Sequence, residues 1–375
     1  MNNDRIREIT AIQTSAILIS TIIGVGVLAL PLFAVQSANS GGPLVTLLAV
    51  LFAFAGLALV AVLGMRFPRQ TMLQYSEIII GKWLSRICNF SIVVFFAILT
   101  SLAAREFGEV VITAVLQKTP VEVTVIVMLL LAAFSTRNDV LTFAYIHHFY
   151  FPLLIFPAVL IVALSLKNAE PLNLQPIWGN GRTNMLEGTL NIAALFQGSF
   201  VLITVMPHMK RPERALTATF WGMLIAGGLC VAIAVAAVGV FGSEETLKLL
   251  WPTLELAKTT SLPANILERL DAAFLAVWVT AVFTTLFSTY YLTIDKARRI
   301  FGMKEHKTLS LFLLPVVFFM AMLPQNILEM YEIIKSIGRI GLIVTIGYPA
   351  MLLLIAIIRN KRGDRSSEQK TVEND

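Results

Sequence analysis

This sequence has little charge. Only 14% of its 375 residues are Asp, Glu, Lys or Arg, 57% are hydrophobic, and the mean hydropathy is +0.79. A soluble globular chain carries roughly a quarter of its residues as charges, so water is excluded as the main solvent. Cysteine is also scarce: Cys88 and Cys230 both fall in or beside apolar stretches. That excludes a disulfide framework and leaves them as small packing residues. The four histidines form no ligand cluster, and no H-E-x-x-H, G-x-S-x-G or P-loop occurs. Neither a metal site, a cofactor nor an enzyme activity is expected.

What is present is a series of long apolar runs. About 18 apolar residues cross the hydrocarbon of a bilayer as a helix, and lipid leaves no unpaired backbone group satisfied, so each run reads as a spanning helix. We place ten, at about 10–35, 43–64, 87–116, 121–136, 140–164, 186–207, 214–242, 269–294, 308–324 and 338–358. The first is read as a retained span and not a signal peptide, because no small-residue cleavage site precedes a polar chain. With the N-terminus inside, 20 of the 29 basic residues fall in cytoplasmic segments and 8 outside, with Arg105 left within a span. Basic residues concentrate on the cytoplasmic side of membrane proteins, so both tails are expected inside, and the net charge of +6 needs no nucleic-acid partner. The expected organisation is a cytoplasmic tail (1–9), a five-helix unit (10–164), an outer loop (165–185), a second five-helix unit (186–358) and a cytoplasmic tail (359–375). Residues 66–85 and 244–262 mix apolar and charged positions, as amphipathic connectors at the membrane surface do.

Two of these runs are interrupted. In Ile23-Gly24-Val25-Gly26-Val27-Leu28-Ala29-Leu30-Pro31, two glycines flank a β-branched residue, and Pro31 cannot donate to the carbonyl four residues back. A helix that unwinds at Gly24–Gly26 and restarts near Val27 puts Pro31 in its first turn. Such a break offers N–H groups to a carboxylate and carbonyls to an ammonium, the two charges of an amino acid. The other reading of Gly24 and Gly26 is close helix packing. In the second half, Phe196-Gln197-Gly198-Ser199 sets a polar amide beside a glycine in mid-membrane. Interruptions at corresponding places in two halves mark transporter-type sites. Five spans per half put the halves in opposite orientations, which permits an inverted repeat.

The Ile23–Pro31 segment resembles the first-helix signature of the amino acid, polyamine and organocation transporter superfamily. The whole chain resembles, more narrowly, the B subunit of GerA-type spore germinant receptors. That resemblance is carried by Phe67-Pro68, Tyr75-Ser76-Glu77 through Gly81-Lys82-Trp83, Asn173-Leu174-Gln175-Pro176, and Glu268-Arg269-Leu270-Asp271 running into Trp278. It implies an all-α, LeuT/APC-like fold with a 5+5 inverted repeat and unwound first and sixth helices. It also implies a nutrient sensor of the spore inner membrane, acting with a membrane-anchored A subunit and a lipoprotein C subunit on a germinant, typically an amino acid. In that fold the ligand lies between the first, third, sixth and eighth helices. The implied lining is Ser20, Thr21, Gly24 and Gly26, then Thr100 and Ser101, then Phe196, Gln197, Gly198 and Ser199, and finally Thr280, Thr284 and Thr285.

Intramembrane charges draw functional hypotheses. Arg105, Glu106 and Glu109 fall toward the outer end of the third span, where Arg105 and Glu109 have the spacing of an intrahelical ion pair; the readings are a self-satisfied pair or an outer gate. His147 and His148 enter the fifth span from the cytoplasmic side. Some proton-coupled members of the superfamily carry a Lys on that helix, whereas residues 140–164 contain none. A histidine titrating near neutral pH is one substitute; interfacial packing is the other reading. The functions left open are a germinant-sensing subunit, an amino acid permease of the cell membrane (proton-coupled or exchanging), and a channel or scaffold in which the glycines serve packing alone.

Overall fold

The computed structural model describes residues 8–179, 184–259, 270–303 and 305–363. The basic residues Arg5, Arg7, Arg182, Arg269, Lys304, Arg365 and Lys370, together with Glu268, lie outside the described residues.

The apolar runs are helices because, in hydrocarbon, a helix is the one single-segment structure that pairs its own backbone. The first half comprises α1 (Ala11–Ile22), α2 (Gly26–Ala38), α3 (Gly42–Arg66), α4 (Met72–Ile80), α5 (Lys82–Ala114), α6 (Val121–Ser135) and α7 (Val140–Ser165). The second comprises α8 (Met185–Ala193), α9 (Leu202–Val205), α10 (Ala215–Thr246), α11 (Pro252–Thr259), α12 (Leu270–Phe301), α13 (Lys307–Ala321), α14 (Ile327–Leu342) and α15 (Tyr348–Ile358). By length and composition, seven helical stretches among the described residues are able to cross a membrane. Three shorter apolar helices, α1, α6 and α13, accompany them. Phe149, Phe156, Phe312 and Ile358 stand exposed on the outside of the bundle, where lipid takes the place of water. The chain is an integral multi-pass membrane protein.

Local chemistry sets the ends. Thr10 and Gln13 form a reciprocal capping box that starts α1, and Thr71 and Gln74 repeat it at α4. At one end of the bundle, Ile9 pairs with Met209 as a parallel bridge: Ile9 N–H donates to His208 O at 2.8 Å, and Lys210 N–H donates to Ile9 O at 2.9 Å. The start of α1 is thereby tied to the end of the column formed by α8 and α9.

Of the segment expected as an amphipathic connector, 244–262, the structure describes the residues up to Thr259. Within it, α11 buries Pro252, Thr253, Leu254, Leu256 and Ala257 and packs against α2 and α12. Pro31 explains one contact. Because α2 begins at Gly26, Pro31 sits in its second turn and not its first, and the Val27 carbonyl has no N–H four residues on. Thr253 Oγ1 donates to that carbonyl at 2.8 Å. A Thr253→Val variant keeps the shape and orphans a buried carbonyl. Its midpoint of thermal unfolding in detergent should fall by the equivalent of about 1–3 kcal/mol, and Thr253→Ser should restore it.

Candidate functional site

α1 ends at Ile22, Ile23 leaves helical geometry with ψ 87°, and α2 resumes at Gly26. Three of the carbonyls at this break accept side-chain hydrogen bonds. Thr284 Oγ1 donates to Ser20 O at 2.8 Å, Thr285 Oγ1 to Thr21 O at 2.9 Å, and Trp278 Nε1 to Gly24 O at 3.3 Å. All three donors stand on α12, which lies close because Gly24 has no side chain. A Cβ there would overlap Thr285 Oγ1 and sit 2.8 Å from Thr285 Cβ.

The sixth-span interruption takes a different form. Residues Ala194–Val201 tighten into a 3₁₀-helix eight residues long, between α8 and α9. Runs beyond three or four residues are uncommon and mark hinges or strain. A Cβ on Gly198 would stand 3.0 Å from Thr21 Cγ2, so this segment leans directly on the broken first span.

Between the two interruptions lies a cavity. Its wall brings together Thr21 and Gly26 from the first span, Glu106 from α5, Gly198 from the 3₁₀ segment, and Thr285 and Thr289 from α12. Leu99, Leu102, Leu195 and Ile334 supply apolar surface. About 70 Å³ is open to the centres of water-sized groups, against roughly 10–15 Å³ for one water. That space suits a ligand of a few non-hydrogen atoms. Glu106 is 5% exposed and its Oε1 is buried without a hydrogen-bond partner.

The other sequence-derived candidates fall elsewhere. Gly24 borders a separate apolar cavity with Leu154, Pro157 and Trp278. Thr284 is buried on Ser20 O, and Thr280 donates to its own helix at Val277 O. Thr100 is buried and donates to Thr289 Oγ1 at 2.9 Å, one layer behind the cavity. Ser101 donates to Ile98 O at 2.7 Å. Phe196, Gln197 and Ser199 turn to another cavity, against α3 and the turn that joins α14 to α15. The amide of Gln197 is nevertheless spent on the central wall, where its Nε2 donates to Gly338 O at 2.8 Å. Arg105 pairs with Glu109 through both Nε and Nη2, each at 2.8 Å.

The two histidines part company. His148 is exposed on the outer face of α7. His147 is fully buried, with Nδ1 2.6 Å from Ser20 Oγ and Nε2 3.1 Å from Ser288 Oγ. Ser288 Oγ lies in turn 2.6 Å from Thr21 Oγ1, so one imidazole bridges α1, α7 and α12. Its ring stacks on Phe287 with an interplanar angle of 3°.

Sequence reasoning missed Ser288 and Thr289. Their signal was a polar stripe: Thr284, Thr285, Ser288 and Thr289 recur at helical spacing and share one face. It also missed α14, which contributes Ile334 and Gly338 to the wall. Gly338 is required there, since a Cβ would stand 2.7 Å from Ala194 Cβ.

The backbone is similar to solved transporters. With a TM-score of 0.65 and 14% identity, it matches Mhp1, a nucleobase-cation-symport-1 family transporter, over 92% of this chain and 78% of that one. MhsT in complex with L-phenylalanine gives a TM-score of 0.63 at 14% identity over 92% of this chain and 88% of that one. The fold is accordingly LeuT/APC-like. Among curated sequences, the Spore germination protein YndE of Bacillus subtilis (strain 168) is 26% identical over 96% of this chain and 98% of its own. Spore germination protein B2 of the same organism is 24% identical over 95% and 97%. Over residues 8–330 the chain matches the model of the Spore germination protein family, Spore_permease, and it belongs to that family.

Proposed function

We propose that this chain is the transporter-fold subunit of a spore germinant receptor, resident in the spore inner membrane, that binds a small amino-acid-type nutrient in the central cavity. Ligand binding shifts the bundle between states of different affinity, and that shift is the signal passed to an A subunit and a lipoprotein C subunit. The observation that carries the reading is the cavity itself: small, and built where both interrupted spans meet. Family membership and the amino acid named for the solved relative MhsT support it. In this reading, 10–164 and 186–358 are the two five-helix units of a ten-span bundle with both tails cytoplasmic.

The test fills the cavity. Gly26→Leu puts an isobutyl group against Leu195, whose Cδ2 would lie 3.3 Å from a Cβ at that position. Binding of the common L-amino acids by the purified full chain should fall at least tenfold, while insertion and elution profile stay unchanged. An unaltered dose response in that variant would remove the ligand from this cavity.

A second reading, an amino acid permease, is favoured by His147, a titratable group buried where α1 and α12 cross. Reconstituted vesicles separate the two. A pure sensor shows binding without uphill uptake of labelled amino acid under a proton gradient, and a permease shows both.

A further inference from the structure

We infer that the Glu106 carboxylate receives the ligand's ammonium group, which makes the central site selective for small primary amines and, among acids, for amino acids over their deaminated counterparts. The inference rests on the ligand-binding reading above and specifies which group of the ligand meets which group of the protein.

At a broken helix the simplest receiver for an ammonium is the set of carbonyls freed by the break. Here three of those carbonyls are engaged, and so is the one that Pro31 frees. Ser20 O, Thr21 O and Gly24 O accept from Thr284, Thr285 and Trp278, and Val27 O accepts from Thr253. The donors belong to α11 and α12, so they hold the two halves of the first span in place and take up part of its negative end.

Glu106 is the acidic residue of the cavity wall. It is 5% exposed, its Oε1 is buried without a partner, and no ion pair reaches it among the described residues. The adjacent cation is committed elsewhere, because Arg105 spends its guanidinium on Glu109 at 2.8 Å. Successive residues on a helix diverge by about 100°, so Arg105 and Glu106 leave α5 in different directions. A carboxylate set among Leu99, Leu102 and Ile334 is costly to keep ionised alone, and a cation brought by a ligand offsets that cost.

The same cavity offers the opposite charge a place. Gly26 lines it and opens the 13-residue α2, whose leading N–H groups have no acceptor within the helix. The site thus has a positive pole at Gly26 and a negative pole at Glu106, in a space of about 70 Å³. A small zwitterion matches both poles. An α-hydroxy acid of the same shape satisfies one and leaves Glu106 bare.

The experiment uses the purified full chain in nanodiscs, titrated with the common L-amino acids and with the α-hydroxy acid matched to each. At least one amino acid should bind, and its hydroxy acid should bind at least 30-fold more weakly, the effect of losing a charged hydrogen-bonded pair. Glu106→Gln should weaken the amino acid by a similar factor, leave the hydroxy acid within threefold, and keep the elution profile of the parent. Glu106→Asp should recover part of the loss. Equal binding of an amino acid and its hydroxy acid by the parent chain overturns the role of Glu106 whether or not any variant folds. So does a Glu106→Gln variant within threefold of the parent for the amino acid; in either case the ligand-binding reading survives. If no amino acid binds the parent chain, the ligand-binding reading fails, and this inference fails with it.

Discussion

Gly24→Ala is expected to destabilise the protein by about 2–5 kcal/mol, although it adds a single methyl group. The new Cβ would lie 2.8 Å from Thr285 Cβ and overlap Thr285 Oγ1, with Ala281 O at 3.4 Å on the same side. To make room, α12 must retreat or Thr285 must rotate, and rotation removes the donor from Thr21 O. One cost is overpacking and the other is a buried carbonyl without a partner. Thermal unfolding in detergent measures the sum. Gly26→Ala supplies the contrast, because its Cβ would meet the flexible end of Leu195 at 3.3 Å and not the stem of a helix-bound residue. That variant should lose less than about 1 kcal/mol. Thr285→Gly should relieve Gly24→Ala in the double variant, giving a sub-additive pair. Equal losses at the two glycines would show that α12 does not press on the break as described.

The second large effect belongs to His147. Replacing it with Ala should cost about 3–5 kcal/mol, comparable to emptying a buried aromatic site. The imidazole is fully buried against Phe143 and Phe287, and both ring nitrogens meet hydroxyls on neighbouring helices. The hydroxyls themselves keep other partners: Ser20 Oγ donates to Ala16 O at 2.7 Å, and Ser288 Oγ stays within reach of Thr21 Oγ1. The loss is therefore mainly of packing and of the tie between helices. A His147→Leu variant, which refills the volume, should recover more than half of it. His148→Ala, on the exposed face of α7, should change the midpoint by less than the equivalent of about 0.5 kcal/mol. Equivalent effects at the two positions would refute the bridging role. If His147→Leu remains stable but loses its response to ligand, the tie itself carries the signal.

The break in the first span was legible because its cause is local. Two glycines and a proline within Gly24–Pro31 disfavour a continuous helix whatever surrounds them. What the break contributes was not legible. Three of the carbonyls expected to receive a ligand instead receive Thr284, Thr285 and Trp278, which are more than 250 residues away in the chain. The sixth span shows the same division. Gln197 marked the right segment, but its amide turns to Gly338, while the neighbouring Gly198 faces the cavity. The Arg105–Glu109 pair was legible from its spacing, whereas the separate place of Glu106 was not. The structure separates them into a closed pair and a solitary carboxylate.

By itself the sequence determined the solvent, the element type and the place of the first break. Those follow from apolar content, from the backbone's need to pair with itself in hydrocarbon, and from covalent limits at glycine and proline. Apart from α12, where the Thr284, Thr285, Ser288 and Thr289 stripe marks the face, tertiary structure alone decided which side of each helix faces the cavity. In water an amphipathic stripe records that choice in the sequence, but in a bilayer the lipid-facing and the buried faces are both apolar. Hydropathy then carries no rotational signal, and contacts between helices set the angle. Glu106 and Arg105 are adjacent in the chain, and so are His147 and His148; their different fates are consequences of that angle.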